Sequence, residues 1–364
     1  TGLAVARSLS KRGAQVSLAD DAVTEVEGFS VAITNSFSAV NFDALVISPG
    51  WKSDHNLILE AQKSGVALWN EVDLAWKLRA ELVPNQRWIA LTGTNGKTTT
   101  SYLLDQIWDY ADIASGLIGT VGIKIDDDFF AASHTTPEAD AVQRILSVMD
   151  ERHLRNVAME VSSHALVQNR VDGIRFSAAG FTNLTQDHLD YHKTMDSYFS
   201  AKATLFTAEY ASAAVINIDD PYGAKLASEL DIAVTTVSRR DSKADYYLKR
   251  SEVSKNGYFV EIVSKKGEVI TGDFGLLGDF NLENLLLAVA IAHLTGVSTS
   301  QITSVLSKLE SVPGRLEKID AGQSFTALVD YAHSPDAVER VLKTARSFTG
   351  GKIIGVLGCG GDRD

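Results

Sequence analysis

The chain of 364 residues has a single cysteine, fewer basic than acidic side chains and no long apolar run, and each scarcity excludes a class of protein. One cysteine, Cys359, cannot build an internal disulfide framework and fits a reducing compartment. Lys and Arg number 34 against 46 Asp and Glu, a formal net charge of −12. That balance argues against a general nucleic-acid or membrane-surface binder, which needs basic patches to neutralise phosphate. It leaves room for a phosphate held locally by backbone N–H groups and one lysine. No stretch approaches the roughly 20 apolar residues that cross a bilayer, and no signal-peptide pattern opens the chain. Internal repeats, low-complexity tracts and long charge runs are also missing. The expectation is a cytoplasmic globular protein without membrane insertion and without a nucleic-acid partner.

What is present is alternation. The length exceeds one ordinary core and predicts about two or three domains. Val5 and Leu9 before a Gly13 stop predict a helix, residues 14–19 a strand, 45–47 a buried strand before Ser48-Pro49-Gly50, and 56–63 a helix. Strands alternating with helices predict a parallel, doubly wound sheet, so the fold class is α/β throughout. A polar linker at 81–85 closes a Rossmann-like first domain, 1–85. A strand at 88–91, a glycine loop and a helix at 97–108 open a central P-loop domain, 86–312. Val312-Pro313-Gly314 opens part of a third, Rossmann-like domain, 313–364, with strands predicted at 325–329 and 352–357. Thr1-Gly2-Leu3 begins inside a predicted helix and Asp364 follows a strand and a glycine turn, so the reading is a fragment at both ends.

The segment Leu91-Thr92-Gly93-Thr94-Asn95-Gly96-Lys97-Thr98-Thr99 lies between an apolar strand and a helix. Glycines allow close backbone approach to a phosphate, and a helix N-terminus offers free N–H groups and a favourable dipole. Lys97 can reach β/γ-phosphates and the Thr98 hydroxyl can ligate Mg²⁺. Leu91 stands where the Walker pattern has its first glycine. Glu160 follows a predicted strand at 156–159, on the edge where doubly wound sheets bind ligands, and its carboxylate suits a hard cation. Asp187-His188-Leu189-Asp190-Tyr191-His192 sets two histidines four apart, a spacing that also occurs at zinc. No third soft ligand is near in the sequence, so His188 is assigned to a magnesium site and His192 to structure. In His134-Thr135-Thr136-Pro137, Thr136 reads as a helix cap and Pro137 as the first helical residue.

The run Gly93-Thr94-Asn95-Gly96-Lys97-Thr98-Thr99 resembles the phosphate loop of the Mur ligase and folylpolyglutamate synthetase superfamily, whose members join an amino acid to a carboxylate through an acyl phosphate. The runs EVSSHAL from Glu160, QNRVDG from Gln168, FTNLTQDHLDYH from Phe181 and AKATLF from Ala201 resemble, in this order, the central domain of Mur ligases that add the third peptide residue. The resemblance implies ATP phosphates on Gly93, Thr94, Asn95, Gly96, Lys97, Thr98 and Thr99, and adenine on Asn281 and Asn284. It brings Arg315, Asp330 and His333 to the nucleotide from the third domain, and Thr135, Thr136, Ser162, Gln168 and Arg170 to a UDP-MurNAc-peptide precursor. Mg²⁺ falls to Thr98, Glu160, His188 and Lys202, the last as a carbamate, which requires a neutral amine. Lys97, Glu160, His188 and Lys202 form the implied catalytic set of a monomer that adds meso-diaminopimelate or L-lysine to UDP-MurNAc-L-Ala-D-Glu.

The first domain resembles a different member. Thr1-Gly2-Leu3, a strand ending at Asp20, Ser48-Pro49-Gly50 and Asn70-Glu71 are similar to the D-glutamate-adding Mur ligase, in which Thr1 and Asp20 would touch the UDP moiety. D-Glutamate addition to UDP-MurNAc-L-Ala is therefore the alternative activity, and a nucleotide-binding fragment without turnover is the other. Gly358-Cys359-Gly360-Gly361-Asp362-Arg363-Asp364 resembles the family's next motif, after which the chain stops.

Overall fold

The computed structural model describes residues 2–23, 25–26, 28–48, 51–52, 54–70, 73–74, 86–254, 257–332 and 335–358. Two residues assigned from sequence, Thr1 and His333, lie outside these, as do Pro49, Gly50, Glu71, the linker at 81–85 and the last six residues of the closing motif. The chain divides into two compact units, Thr1–Pro84 and Asn85–Asp364.

In the first unit, helix α1 (Gly2–Lys11) stops where Gly13 takes φ 85°. Strand β1 (Leu18–Ala19) runs parallel to β3 (Phe29–Ala32), which pairs antiparallel with β2 (Glu25–Val26). The strand predicted over 14–19 thus shrinks to two residues. Alternation gives residues 14–17 an extended tendency, but the β3 ladder meets only Leu18 and Ala19. Strands β4 (Ala44–Ile47) and β5 (Ala67–Asn70) pair in parallel, joined through α2 (Asn56–Ser64), which His55 caps and Gly65 ends at φ 71°. Asp20, just past β1, accepts from the amides of Ala22 and Val23 and so closes a local turn.

The second unit is built on one eleven-stranded sheet. Its strands are β6 (Arg87–Thr92), β7 (Ser115–Ile118), β8 (Ile123–Ile125), β9 (Asp128–Phe130), β10 (Asn156–Glu160), β11 (Ala178–Phe181), β12 (Ala213–Asn217), β13 (Ala233–Ser238), β14 (Tyr246–Ser254), β15 (Gly257–Ser264) and β16 (Val269–Phe274). The order is β16-β15-β14-β13-β12-β11-β6-β10-β7-β8-β9. From β14 to β7 neighbours run parallel, and both edges turn antiparallel. Buried on both faces, the central strands are near-continuous apolar runs, as parallel sheets require. Strand β6 sits between β10 and β11 and the chain leaves it toward both sides, which makes a switch point with a crevice at its C-terminal end.

Helices α3 (Lys97–Tyr110), α4 (Ala139–Glu151), α5 (Ser163–Val167), α6 (Leu189–His192), α7 (Met195–Ala203), α8 (Pro221–Glu229), α9 (Asp279–Leu294) and α10 (Thr299–Val305) surround the sheet. Helix α9 is apolar all round from Leu285 to Ala292, and it packs on α3 and on the strands beneath. The Trp108 indole N–H donates to Thr295 Oγ1 at 2.8 Å and ties the far end of α3 to the end of α9. Beyond lie the antiparallel pair β17 (Glu317–Ile319) and β18 (Ala327–Val329) and the helix α11 (Pro335–Phe348). The strand predicted over 325–329 shortens to β18, and the one predicted over 352–357 does not form. An apolar run becomes a strand only where a ladder partner exists, and Val356 stands 93% exposed. No helix among the described residues is long and apolar enough to cross a membrane.

Candidate active site

The loop between β6 and α3 has a shape that only glycine permits at two points. A Cβ on Gly93 would stand 1.8 Å from Thr182 Oγ1, and one on Gly96 would stand 2.3 Å from Asn284 Oδ1. Gly96 caps α3 with φ 85° and without a side-chain hydrogen bond, so the first-turn N–H groups of the helix are left for an anion. The loop is strapped to the end of β11. Thr94 N donates to Asn183 O (2.9 Å), Asn95 N to Asn183 Oδ1 (3.0 Å), and Thr182 Oγ1 to Asn95 O (2.6 Å). Lys97 folds back over the loop, its Nζ donating to Gly93 O (2.9 Å) and Thr94 O (3.1 Å). Burial lowers the pKa of this amine, against the pull of Glu160 and with the push of Arg315.

Glu160 is the last residue of β10 and is buried. Its Oε2 accepts from Thr98 Oγ1 (2.9 Å) and Thr120 Oγ1 (3.1 Å), and its Oε1 from Thr120 N (2.7 Å). Gly119 makes room, since a Cβ there would lie 2.2 Å from Oε1. Thr98 and Glu160, far apart in sequence, thus form a cluster of oxygen donors of the hardness that Mg²⁺ prefers. Among the described residues no three of His, Cys, Asp and Glu gather into a ready metal cage.

Lys202, on α7, is 1% exposed. Its Nζ donates to Gly93 O (2.9 Å) and Thr92 Oγ1 (3.5 Å) and lies 4.7 Å from the Tyr198 ring centroid. Among the described residues no carboxylate forms an ion pair with it. Burial drives its pKa well below the usual lysine value, and the Lys97 cation, which shares the Gly93 carbonyl, pushes the same way against Asp187. His188 takes φ 52° ahead of α6 and keeps a side chain 46% exposed. Its ring stands edge-on to His164 and to Tyr198, with partial burial holding its pKa down. His192 is buried, stacks on Tyr198 and bonds Ser163 Oγ at 2.9 Å.

The segment 134–138 departs from its sequence reading. Thr136 caps no helix, and Pro137 precedes rather than starts α4, whose N-cap is Glu138. Thr136 Oγ1 instead donates to Glu160 O (2.9 Å) and accepts from Ser162 N (3.0 Å), pinning the loop across the end of β10. Partners at a strand end outcompete the local cap. Ser162 caps α5, Thr135 Oγ1 meets Thr120 Oγ1 at 3.1 Å, and Arg170 reaches Thr136 O (2.9 Å) and Glu138 Oε1 (2.8 Å), its buried Nε unpaired among the described residues. Gln168, at the end of α5, is exposed. Removing one buried hydroxyl that serves two backbone groups leaves both unsatisfied. The Thr136→Val protein is expected to lose roughly 1–3 kcal/mol of stability, read from the urea midpoint, and an unchanged midpoint would refute the pin.

Asn281 and Asn284 are buried on the first turns of α9 and face one another: Asn284 Nδ2 donates to Asn281 Oδ1 (3.0 Å), Asn281 Nδ2 to Leu277 O (2.7 Å), and Thr100 Oγ1 to Asn284 Oδ1 (3.4 Å). Arg315 lies over the Tyr331 ring at 4.9 Å. Asp330 accepts from Leu316 N and Ala332 N, both at 2.8 Å, and so anchors the turn that presents Arg315. Sequence reasoning passed over Thr120, Thr182 and Asn183. Their signal was positional, since each follows the C-terminal end of a buried strand on the edge that also carries Glu160.

The sequence model of the Mur ligase middle domain matches residues 91–292, and that of the Mur ligase glutamate ligase domain matches residues 314–364. The UDP-N-acetylmuramoyl-L-alanyl-D-glutamate–2,6-diaminopimelate ligase of Streptomyces coelicolor is 45% identical over 277 residues, 76% of this chain and 54% of that protein. Its counterpart in Geobacter metallireducens is 46% identical over 286 residues, 76% of this chain and 55% of that protein. The chain therefore spans about half the length of these curated relatives. A solved structure of a UDP-N-acetylmuramoyl-L-alanyl-D-glutamate–2,6-diaminopimelate ligase superposes with a TM-score of 0.69 at 30% identity, over 88% of this chain and 70% of that one.

Proposed function

Because the chain belongs to the Mur ligase family, we propose that it performs ATP-dependent amide-bond formation on UDP-MurNAc-L-Ala-D-Glu, with meso-diaminopimelate or L-lysine as the incoming amine, as a cytoplasmic monomer. The observation that carries this reading is the Thr98–Glu160 oxygen cluster, set beside the phosphate loop and a buried lysine that has no acidic partner among the described residues. The named activity of the relatives at 45–46% identity supports the substrate.

The chemistry asks the protein for position and charge more than for covalent work. The N-terminus of α3 and Lys97 receive the β- and γ-phosphates. The substrate's terminal carboxylate attacks the γ-phosphorus, ADP leaves, and an acyl phosphate forms. The incoming amine then attacks the acyl carbon, losing a proton as the amide forms and inorganic phosphate departs. Arg170 and the Thr135–Thr136 segment would orient the precursor, and Asn281, Asn284, Arg315 and Asp330 the nucleotide. Thr98 and Glu160 would hold Mg²⁺ through oxygen, joined by His188 and by Lys202 as its carbamate. When bound, the ion supplies charge neutralisation between phosphate and carboxylate. The burial of Lys202, which favours the neutral amine, supports the carbamate: that amine adds to CO₂, forming an N–C bond and releasing one proton, and a buried neutral group becomes an anion.

Calorimetry decides which precursor the chain takes, with Mg²⁺ and a non-hydrolysable ATP analogue present. Tighter binding of UDP-MurNAc-L-Ala-D-Glu than of UDP-MurNAc-L-Ala is expected. The reverse order would replace this reading with D-glutamate addition, the activity to which Asp20 and its neighbours in the first unit are similar.

A further inference from the structure

We infer that Arg239 is a positioning residue that holds the first turns of α9, and with them Asn281 and Asn284, in register with the phosphate loop. The inference rests on the ATP reading above and names the group that aligns the two halves of that site.

Arg239 directly follows β13, and its side chain is 18% exposed. Its Nη2 meets Asp279 Oδ2 at 2.9 Å and its Nη1 meets Glu283 Oε1 at 3.3 Å. These carboxylates lie four residues apart on one face of α9, and the two asparagines are interleaved with them on the same turns. Asp279 also accepts from Tyr258 OH (2.9 Å), so its carboxylate is gripped from β15 as well. The fork of an arginine can serve two separated acceptors at once, which a single ammonium cannot do in the same way.

Arg239 is itself anchored back to the loop. Its N–H donates to Asp219 Oδ2 (2.7 Å), and Ser238 Oγ donates to Asp219 Oδ1 (2.5 Å). Asp219 N donates to Asn217 Oδ1 (3.1 Å), Asn217 Nδ2 to Thr182 O (2.9 Å), and Thr182 Oγ1 to Asn95 O (2.6 Å) in the phosphate loop. On the other side Asn284 accepts from Thr100 of α3 and lies against Gly96. Hydrogen bonds and one ion-pair fork therefore close a ring along the sheet edge, from Asn95 through the ends of β11, β12 and β13 to α9 and back to α3. Among the described residues Arg239 is the one charged link between strand ends and helix in that ring. Without it α9 is still packed by its apolar body, but the turn carrying the asparagines loses its tie to the strands that hold the loop.

The test compares two probes on the whole chain by calorimetry with Mg²⁺: a non-hydrolysable ATP analogue, and inorganic tripolyphosphate, which has no base. Arg239→Met is expected to weaken the ATP analogue at least tenfold while leaving tripolyphosphate within twofold. Arg239→Lys should fall between, and thermal unfolding of both variants checks the fold. If Arg239→Met does not fold, Arg239→Lys decides by the same two ratios. Equal losses for both probes, or none for either, overturn the inference. A wild-type protein that binds neither probe overturns the ATP reading instead.

Discussion

Replacing Lys97 by alanine is expected to weaken a Mg²⁺–ATP analogue roughly a hundredfold, the upper end of what a lost hydrogen bond to a charged group contributes. The fold should not suffer. Among the described residues Lys97 Nζ bonds only the Gly93 and Thr94 carbonyls of its own loop, and the straps that shape the loop come from Thr182 and Asn183. The unfolding temperature should stay near that of the parent while the Kd read by calorimetry rises by that factor. Undiminished binding would refute the assignment of the phosphate loop. The same change removes the like charge next to Lys202, so the Lys202 amine should become easier to protonate.

Lys202 offers the second large effect, with opposite signs for stability and chemistry. Its buried amine has carbonyl, hydroxyl and ring neighbours and no carboxylate partner among the described residues. Lys202→Met keeps most of the volume and removes the desolvated amine, so the ligand-free protein should be at least as stable as the parent. In the parent, the folded amine has a pKa well below the unfolded value. Between the two values the unfolded chain binds one more proton, so stability rises with pH there, by at most about 1.4 kcal/mol per pH unit. The parent should therefore gain on Lys202→Met as pH rises from neutral toward the ordinary lysine value, and lose ground as pH falls through the same window. Urea midpoints of both proteins across this range, in CO₂-free buffer where the lysine is the free amine, measure it, and a gap that does not move with pH would sink the idea. Lys202→Ala should cripple acyl phosphate formation, trapped as a hydroxamate, with partial recovery when small carboxylic acids fill the space. A carbamate signal in the ¹³C spectrum under labelled bicarbonate should accompany the parent and vanish in Lys202→Met.

Much of this site was legible because its parts are local. Thr92 to Thr99 is one unbroken segment, and the glycines, the lysine and the following helix announce a phosphate loop without help from elsewhere. The β/α alternation marked Glu160 as a strand end, and parallel sheets gather such ends on one edge. The buried strands were readable from apolar runs, because a strand covered on both faces needs them.

Other features depended on partners far away in the chain. Residues 14–17 and 352–357 have strand-like patterns, yet a ladder needs an opposite edge and only Leu18 and Ala19 found one. Thr136 looks like a cap, and becomes a pin because Glu160 O and Ser162 N stand within reach. Lys202 has its role in the sequence only through the family resemblance, and its burial appears when α7 packs it beside Gly93. Arg239 has no motif around it, and acquires meaning only when Asp219, Asp279 and Glu283 surround it. The sequence by itself determined the β/α alternation, the loop and the family of chemistry, since short-range periodicity and backbone permissiveness are local properties. The tertiary structure alone decided which side chains share a carbonyl, lose their water or close a ring, because desolvation and hydrogen bonding depend on what the rest of the chain brings within about 3 Å.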